Sequence, residues 1–344
     1  MHGLFTRRSV WTNRILSVAA VLLLLGATYA GQAIAESESE ELASMILNMS
    51  DFEGGLIVHV GCGDGEITAS LSRNDNCLVH GLDSNPKNVE QARENIRSAG
   101  LYGRVSVEQW NREYLPYTDN LVNLVIVSES NRIPRQELMR VLVPGGAMCV
   151  RRGQSWQKSN KPTPEEMDDW THYLHDASGN AVANDTLVGP PKHMQWVGKP
   201  LYCRSHEIDT SISALVSGGG RIFYILDEGL TGITDERLPE EWSLVARDAF
   251  NGVVLWKRSL PNWGWPEWKK DELQGKDWTS LRGQRTRSPV ALPRRLVTDG
   301  QRVYVTLGYE APLTVLDAAS GKVIHTYENT VGTDEILHRQ GVVV

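Results

Sequence analysis

From residue 56 the chain alternates short apolar runs with stretches whose apolar positions recur at helical spacing. Residues 56–60, LIVHV, read as a buried strand, followed by a glycine-rich turn and a helix through Ile67 and Leu71. CLVHGLD (77–83) is a second strand, and Pro86 then opens a helix in which Val89, Ala92 and Ile96 share a face until Gly100 ends it. RVSVEQW and LVNLVIV (121–127) predict two more strands. RQELMRVLVPGG reads as a helix stopped by Pro144-Gly145-Gly146, and AMCV (147–150) as a fifth strand. Strands that alternate with helices imply a parallel sheet covered on both faces. Ligands of such sheets bind beyond the carboxyl ends of the strands, where the strand order switches.

After residue 150 the pattern changes: a polar, proline-bearing stretch follows the fifth strand, and helical periodicity fades after EEMDDWTHYLHD. Nine of the eleven tryptophans lie in this part. Its strongest signal is repetition. GGRIFYILDEG (219–229) and LVARDAFNGVVLWKRSL (244–260) recur as GQRVYVTLGYEAP (300–312) and LTVLDAASGKVIHTYEN (313–329), and HRQGVVV (338–344) starts a third copy. Asp248-Ala249 to Gly252 and Asp317-Ala318 to Gly321 occupy hairpin turns between alternating strands. Trp256 and His325, near the end of each copy, are expected to pack between successive sheets.

The first 35 residues stand apart from both patterns. Arg7, Arg8 and Arg14 precede an apolar run to Ala30, and Ala33-Ile34-Ala35 offers small residues for cleavage before the acidic ESESEE. This reads as a cleaved signal peptide rather than a membrane span, with an uncleaved anchor as the alternative. Thr6-Arg7-Arg8-Ser9 also admits twin-arginine export. The protein is therefore expected to be exported, periplasmic or extracellular, with no stable span after cleavage. Removing three arginines and no acid takes the net charge from −7 to −10, and no basic stripe interleaves with aromatics. Nucleic acid is not an expected partner; a small molecule or a protein is. Cys62, Cys77, Cys149 and Cys203 have no metal-type spacing and read as small core residues.

The candidate chemistry begins at VHVGCGDGE, residues 58–66, where Gly61, Gly63 and Gly65 alternate after the first strand. Asp83 ends the second strand in HGLDSNP, about 20 residues later. With LPYTDNLVNLVIV before the fourth strand and RVLVPGG before the fifth, residues 52–152 resemble the class I S-adenosylmethionine-dependent methyltransferases. The resemblance implies a Rossmann-like α/β fold, shortened to about five strands, with S-adenosylmethionine as its ligand. It places the methionine and ribose portions against Gly61, Gly63 and Gly65, the ribose hydroxyls on Asp83, and the adenine beside Asn111. A strand-end cap before the helix at Pro86 is the alternative role of Asp83. The family's usual acids are replaced at His59, Asn111 and Asn123. The loop is thus shaped for the cofactor with weakened electrostatics, and His59 reads as a satisfied core histidine. No catalytic residue is assigned; Glu129, in the SESNR loop after the fourth strand, is a candidate base or a solvated loop carboxylate.

The repeats resemble the pyrroloquinoline quinone-type β-propeller, incomplete here because two blades and a beginning cannot close a ring. That repeat marks a fold, and the quinone itself is not expected as a cofactor. The division expected is 1–35 signal, 36–51 helix or linker, 52–152 methyltransferase-like, 153–185 junction and 186–344 propeller repeats. In the junction, His172, His175 and Asp176 would share one face if the segment is helical, resembling a partial metal site; local hydrogen bonding at a domain junction is the commoner role of such a group, and no metal is assigned. The whole order resembles exported multidomain proteins of planctomycete-type bacteria. Three readings follow: a methyltransferase of unknown acceptor, a non-catalytic exported scaffold with a relic cofactor fold, and a fragment of a quinone-dependent dehydrogenase.

Overall fold

The computed structural model describes residues 38–129, 133–190, 194–199, 211–230, 240–268 and 288–344. Residues 1–37, where a signal peptide is expected, Cys203, and Ser130, Asn131 and Arg132 of the SESNR loop lie outside the described residues. Residues 38–50 form helix α1. Strand β1 (Gly55–Val60), helix α2 (Glu66–Ser70), β2 (Cys77–Asp83), α3 (Pro86–Ser98), β3 (Val105–Gln109), β4 (Val122–Val127), α4 (Arg135–Val141), β5 (Leu142–Arg152) and β6 (Ser155–Asn160) follow. They build one sheet of order β3-β2-β1-β4-β5-β6. The first five strands are parallel and β6 runs antiparallel to β5.

Two elements differ from the sequence reading. The fourth helix ends at Val141, and β5 already begins at Leu142 and runs through Pro144-Gly145-Gly146. Gly145, at φ 79°, and a register shift opposite Val122–Leu124 let the strand absorb the turn residues. The polar stretch after β5 holds a sixth strand, so the sheet has six strands rather than about five. SWQKSN was legible only as a linker because an edge strand can be polar on both faces when its ladder partner supplies the order.

Alternation along the central strands sends side chains to two cores. Ile57, Val79, Leu124 and Ile126 meet α1 and α3 through Ala43, Ile46, Val89, Ala92 and Ile96. Val58, Val60, Leu82, Val125 and Val127 meet α4 through Leu138 and Val141. Both faces are covered, which explains why these strands are apolar throughout.

The second half contains two four-stranded antiparallel sheets. The first comprises β7 (Ile212–Gly218), β8 (Arg221–Asp227), β9 (Trp242–Asp248) and β10 (Val254–Ser259), in order β10-β9-β8-β7. A short helix α5 (Trp265–Trp268) follows it. The second sheet is β11 (Leu296–Thr298), β12 (Arg302–Thr306), β13 (Leu313–Asp317) and β14 (Val323–Tyr327), in order β11-β12-β13-β14. Phe223, Ile225, Leu244 and Ala246 of the first pack on Val303, Val305, Leu316 and Ala318 of the second. The hairpin β15 (His338–Arg339) and β16 (Val342–Val343) starts where the third copy was read. Its Val343 and the preceding Ile336 close the far face of the second sheet over Tyr304 and Val315.

One contact recurs. The Trp196 indole N–H donates to Ala249 O at 3.0 Å and its ring lies against Gly252. Trp256 repeats this on the next sheet, with Ala318 O at 2.9 Å and Gly321. A β-carbon on Gly321 would stand 2.6 Å from the Trp256 ring, and its φ is 67°. Only glycine satisfies both conditions.

His172 and His175 do not lie on a helix: they close a tight turn through His172 N–H to His175 O at 3.0 Å, with His175 at φ 70°. The His175 ring pairs with Asp168 at 2.7 Å, and His172 Nε2 accepts the His338 amide at 3.1 Å. These histidines thus fasten the junction to the second half; among the described residues no three metal-ligating side chains converge. Trp170 O and Thr171 O also accept the amides of Ser217 and Thr298, one in each antiparallel sheet.

Candidate cofactor site

Strands β1, β2, β3 and β4 all end on one edge of the parallel sheet, at the switch between β1 and β4. Gly61 N–H and Cys62 N–H both reach back to Leu82 O, so the chain leaves β1 along the end of β2. Gly63 and Gly65 adopt φ of 58° and 81°. Gly63 has nothing within 4 Å of where a β-carbon would be, which leaves its backbone open to a ligand. Gly65 has a different task. A β-carbon there would lie 2.7 Å from Ala92, so its absence lets α2 start directly against α3. Gly61 faces the Glu129 side chain at 3.2 Å in the same sense.

Asp83 is nearly buried, at 5% exposure. Its Oδ2 accepts the Gly63 amide at 2.9 Å, and its Oδ1 accepts from Asn85 N–H at 2.9 Å and Asn88 Nδ2 at 3.2 Å. A carboxylate has about four acceptor positions, so these bonds leave one for a diol. Asp83 therefore ties the glycine loop to the start of α3, while the cap itself is Asn85, which accepts from Lys87 N–H at 3.0 Å. Asn111 is exposed two residues beyond β3. The adjacent Trp110 amide donates to Asp83 O at 2.8 Å, which brings Asn111 to the same edge. Glu129 is exposed at the end of β4, over the loop.

His59 is fully buried beneath this edge. Its Nδ1 lies 2.8 Å from Thr68 Oγ1 and its Nε2 2.6 Å from Ser128 Oγ. Burial depresses its pKa to about 4, only partly opposed by the Asp83 charge. The ring is neutral at pH 7 and ties β1 to α2 and to the end of β4. Ser128, Thr68 and Asn88 carry no signature in the sequence beyond their position, one at a strand end and two in the first turns of helices. The buried Cys62 thiol is pushed up to about 12 by burial and then by Asp83, which makes it unreactive. Cys149 is likewise pushed up, to about 11, by burial.

Asn123 does not belong to this edge. It sits at the opposite, amino end of β4, where its Oδ1 accepts from Leu56 N–H at 2.8 Å and Asn251 Nδ2 at 2.7 Å. Its Nδ2 donates at 2.6 Å to Oδ2 of Asp248, the last residue of β9. The acid missing at 123 therefore takes nothing from the cofactor edge. An aspartate there would set a second carboxylate against Asp248, and the amide answers that neighbour. Arg221 and Glu53 form an ion pair across the same contact.

Residues 57–146 match the family model of a methyltransferase domain. Methyltransferase GfsG of Streptomyces halstedii is 29% identical over 119 residues, which cover 32% of this chain and 42% of that protein. The ubiquinone/menaquinone biosynthesis C-methyltransferase UbiE of Salmonella newport (strain SL254) is 29% identical over 140 residues, 38% of this chain and 55% of that protein. Among solved structures, the geranyl diphosphate C-methyltransferase of Streptomyces coelicolor A3(2), in complex with Mg2+, geranyl diphosphate and S-adenosyl-L-homocysteine, is 19% identical. It aligns over 32% of this chain and 44% of its own, with a TM-score of 0.30. The chain spans about half the length of the curated relatives it matches. Sheet order, glycine loop and family match together make residues 57–146 a class I-type methyltransferase domain.

Proposed function

We propose that the protein is an S-adenosylmethionine-dependent methyltransferase, with the cofactor held on Gly61, Gly63, Gly65, Asp83 and Asn111. One observation carries the reading: these residues come from three separate strand ends and meet on one edge, with an open backbone at Gly63 and a spare acceptor position on Asp83. Asp83 accepts a ribose hydroxyl and Asn111 hydrogen-bonds the adenine. The cofactor supplies an electrophilic methyl group, and the chain's part is to hold donor and acceptor in line. Glu129, exposed beside Gly61, is placed to take a proton from an acceptor that carries one. The methyltransferase names of GfsG and UbiE support the same class of reaction.

The two antiparallel sheets are, on this proposal, successive blades of a propeller of the pyrroloquinoline quinone-type repeat. Their shared core and the recurring tryptophan contact support it. The N-terminal segment directs export. The test of the cofactor site is titration calorimetry of the full chain with S-adenosylmethionine, beside Asp83→Ala. Micromolar binding weakened about tenfold or more in the variant is expected, since a buried hydrogen bond to a charged group is worth roughly 1.5–3 kcal/mol. No heat at millimolar cofactor sinks the proposal. It would favour a non-catalytic scaffold, the reading supported by the three protein donors already on Asp83 and by the neutral His59.

A further inference from the structure

The antiparallel sheets have one end against the methyltransferase domain, at Asp248 and Arg221, and an opposite end of different character. At that far end β9 begins with Trp242, β12 finishes with Thr306, and Arg295 immediately precedes β11. Trp263 and Trp268 follow β10 there, in and beside α5. The side chains touch in series: the Trp242 and Trp268 rings are 6.2 Å apart, those of Trp268 and Tyr309 6.0 Å, and the Arg295 guanidinium lies 5.0 Å over Tyr309.

The polar atoms of this cluster share a property. Trp242 Nε1, Trp263 Nε1, Trp268 Nε1, Arg295 Nε and Thr306 Oγ1 are buried and have no hydrogen-bond partner among the described residues. Trp242, Trp263, Arg295 and Thr306 are at 5%, 3%, 4% and 0% exposure. Indole and guanidinium nitrogens only donate, and the hydroxyl does either. An orphaned buried donor costs roughly 1–3 kcal/mol, and native interiors seldom leave even one unmet. Several within one cluster call for a shared acceptor.

Charge points the same way. Arg295 is a buried cation whose one carboxylate contact among the described residues is Asp334 at 3.5 Å, and Asp334 is 87% exposed. Its Nη1 donates to the neutral Tyr309 O at 2.8 Å. A buried charge normally requires a close counter-charge. Glu240, whose carboxylate lies near Gly264 and Trp242, has an interaction of its own. We infer that this end of the two sheets holds a binding site for a small organic carboxylate, its oxygens facing Arg295, Thr306 and the indole N–H groups and its apolar body lying on the tryptophan rings. The site lies outside the stretch that matches the methyltransferase family, so it stands or falls apart from the cofactor reading.

The test titrates the full chain with benzoate, its neutral isostere benzamide, and sulfate, read by intrinsic tryptophan fluorescence and by the thermal midpoint. Benzoate is expected to give a saturable change and a raised midpoint, with benzamide and sulfate at least about tenfold weaker, a difference of about 1.4 kcal/mol. Thr306→Val keeps the side chain's shape and removes one donor, and Trp263→Phe removes another together with part of the ring; both should weaken benzoate while still folding. Arg295→Gln should abolish the preference for benzoate over benzamide. Equal responses to benzoate and benzamide, sulfate matching benzoate, absence of saturation, or unchanged benzoate binding in folded Thr306→Val and Trp263→Phe would each overturn the inference.

Discussion

A histidine with both ring nitrogens engaged in the interior makes stability depend on pH in a definite direction. His59 titrates near its ordinary 6.5 in the unfolded chain and at about 4 in the folded one, because burial disfavours its cation. Its contribution is fully present above pH 6.5 and is lost as pH falls to about 4, a loss of about 3 kcal/mol. Urea unfolding between neutral pH and pH ~4 should show this slope, and His59→Gln should remove its share of it while lowering stability at neutral pH. An unchanged slope in the variant would place the proton elsewhere; His80 and His172 are also depressed by burial. At this scale the sequence was informative where chemistry is local. Gly61, Gly63, Gly65 and Asp83 could be named because loop and strand end follow each other along the chain. Asn123 could not be understood that way, since its partner Asp248 is 125 residues away.

Among the elements, the central strands were legible because burial on both faces leaves only apolar residues to read. The polar β6 and the early start of β5 were not, since ladder pairing set them and periodicity did not. The three polar residues of the junction sit at a spacing that fits a helix or a turn, and local hydrogen bonding makes a turn of them. Repetition, in contrast, exposed both antiparallel sheets, and it carries a prediction. Gly321→Ala puts a methyl group on the Trp256 ring in a left-handed conformation, a backbone cost of about 1–2 kcal/mol before the clash. A fall of at least about 2 kcal/mol in unfolding free energy is expected. Gly332→Ala is the control: it has the same sign of φ but no neighbour within 4 Å, so it should lose only the backbone share.

In the whole molecule, the parallel sheet meets the first antiparallel sheet through polar side chains, Asn123 with Asp248 and Asn251 and Glu53 with Arg221, and through Leu255 against Gly54. Asn123 is central, with bonds to Leu56, Asn251 and Asp248. Asn123→Asp should cost about 3 kcal/mol at neutral pH, because two carboxylates then share one place, and should recover on acidification as they come to share a proton. Thermal unfolding at two pH values reads this, and faster proteolysis of the 153–185 segment would show the two parts separating; equal stability at both pH values would refute it. The paired tryptophan contacts bear on time as well as on space. Trp196 precedes the Ala249 carbonyl it holds by 53 residues, and Trp256 precedes that of Ala318 by 62. Each receiving ring therefore leaves the ribosome before the turn that docks on it. The sheets are thus wired for assembly in the order of synthesis, each new one finding its seat already made.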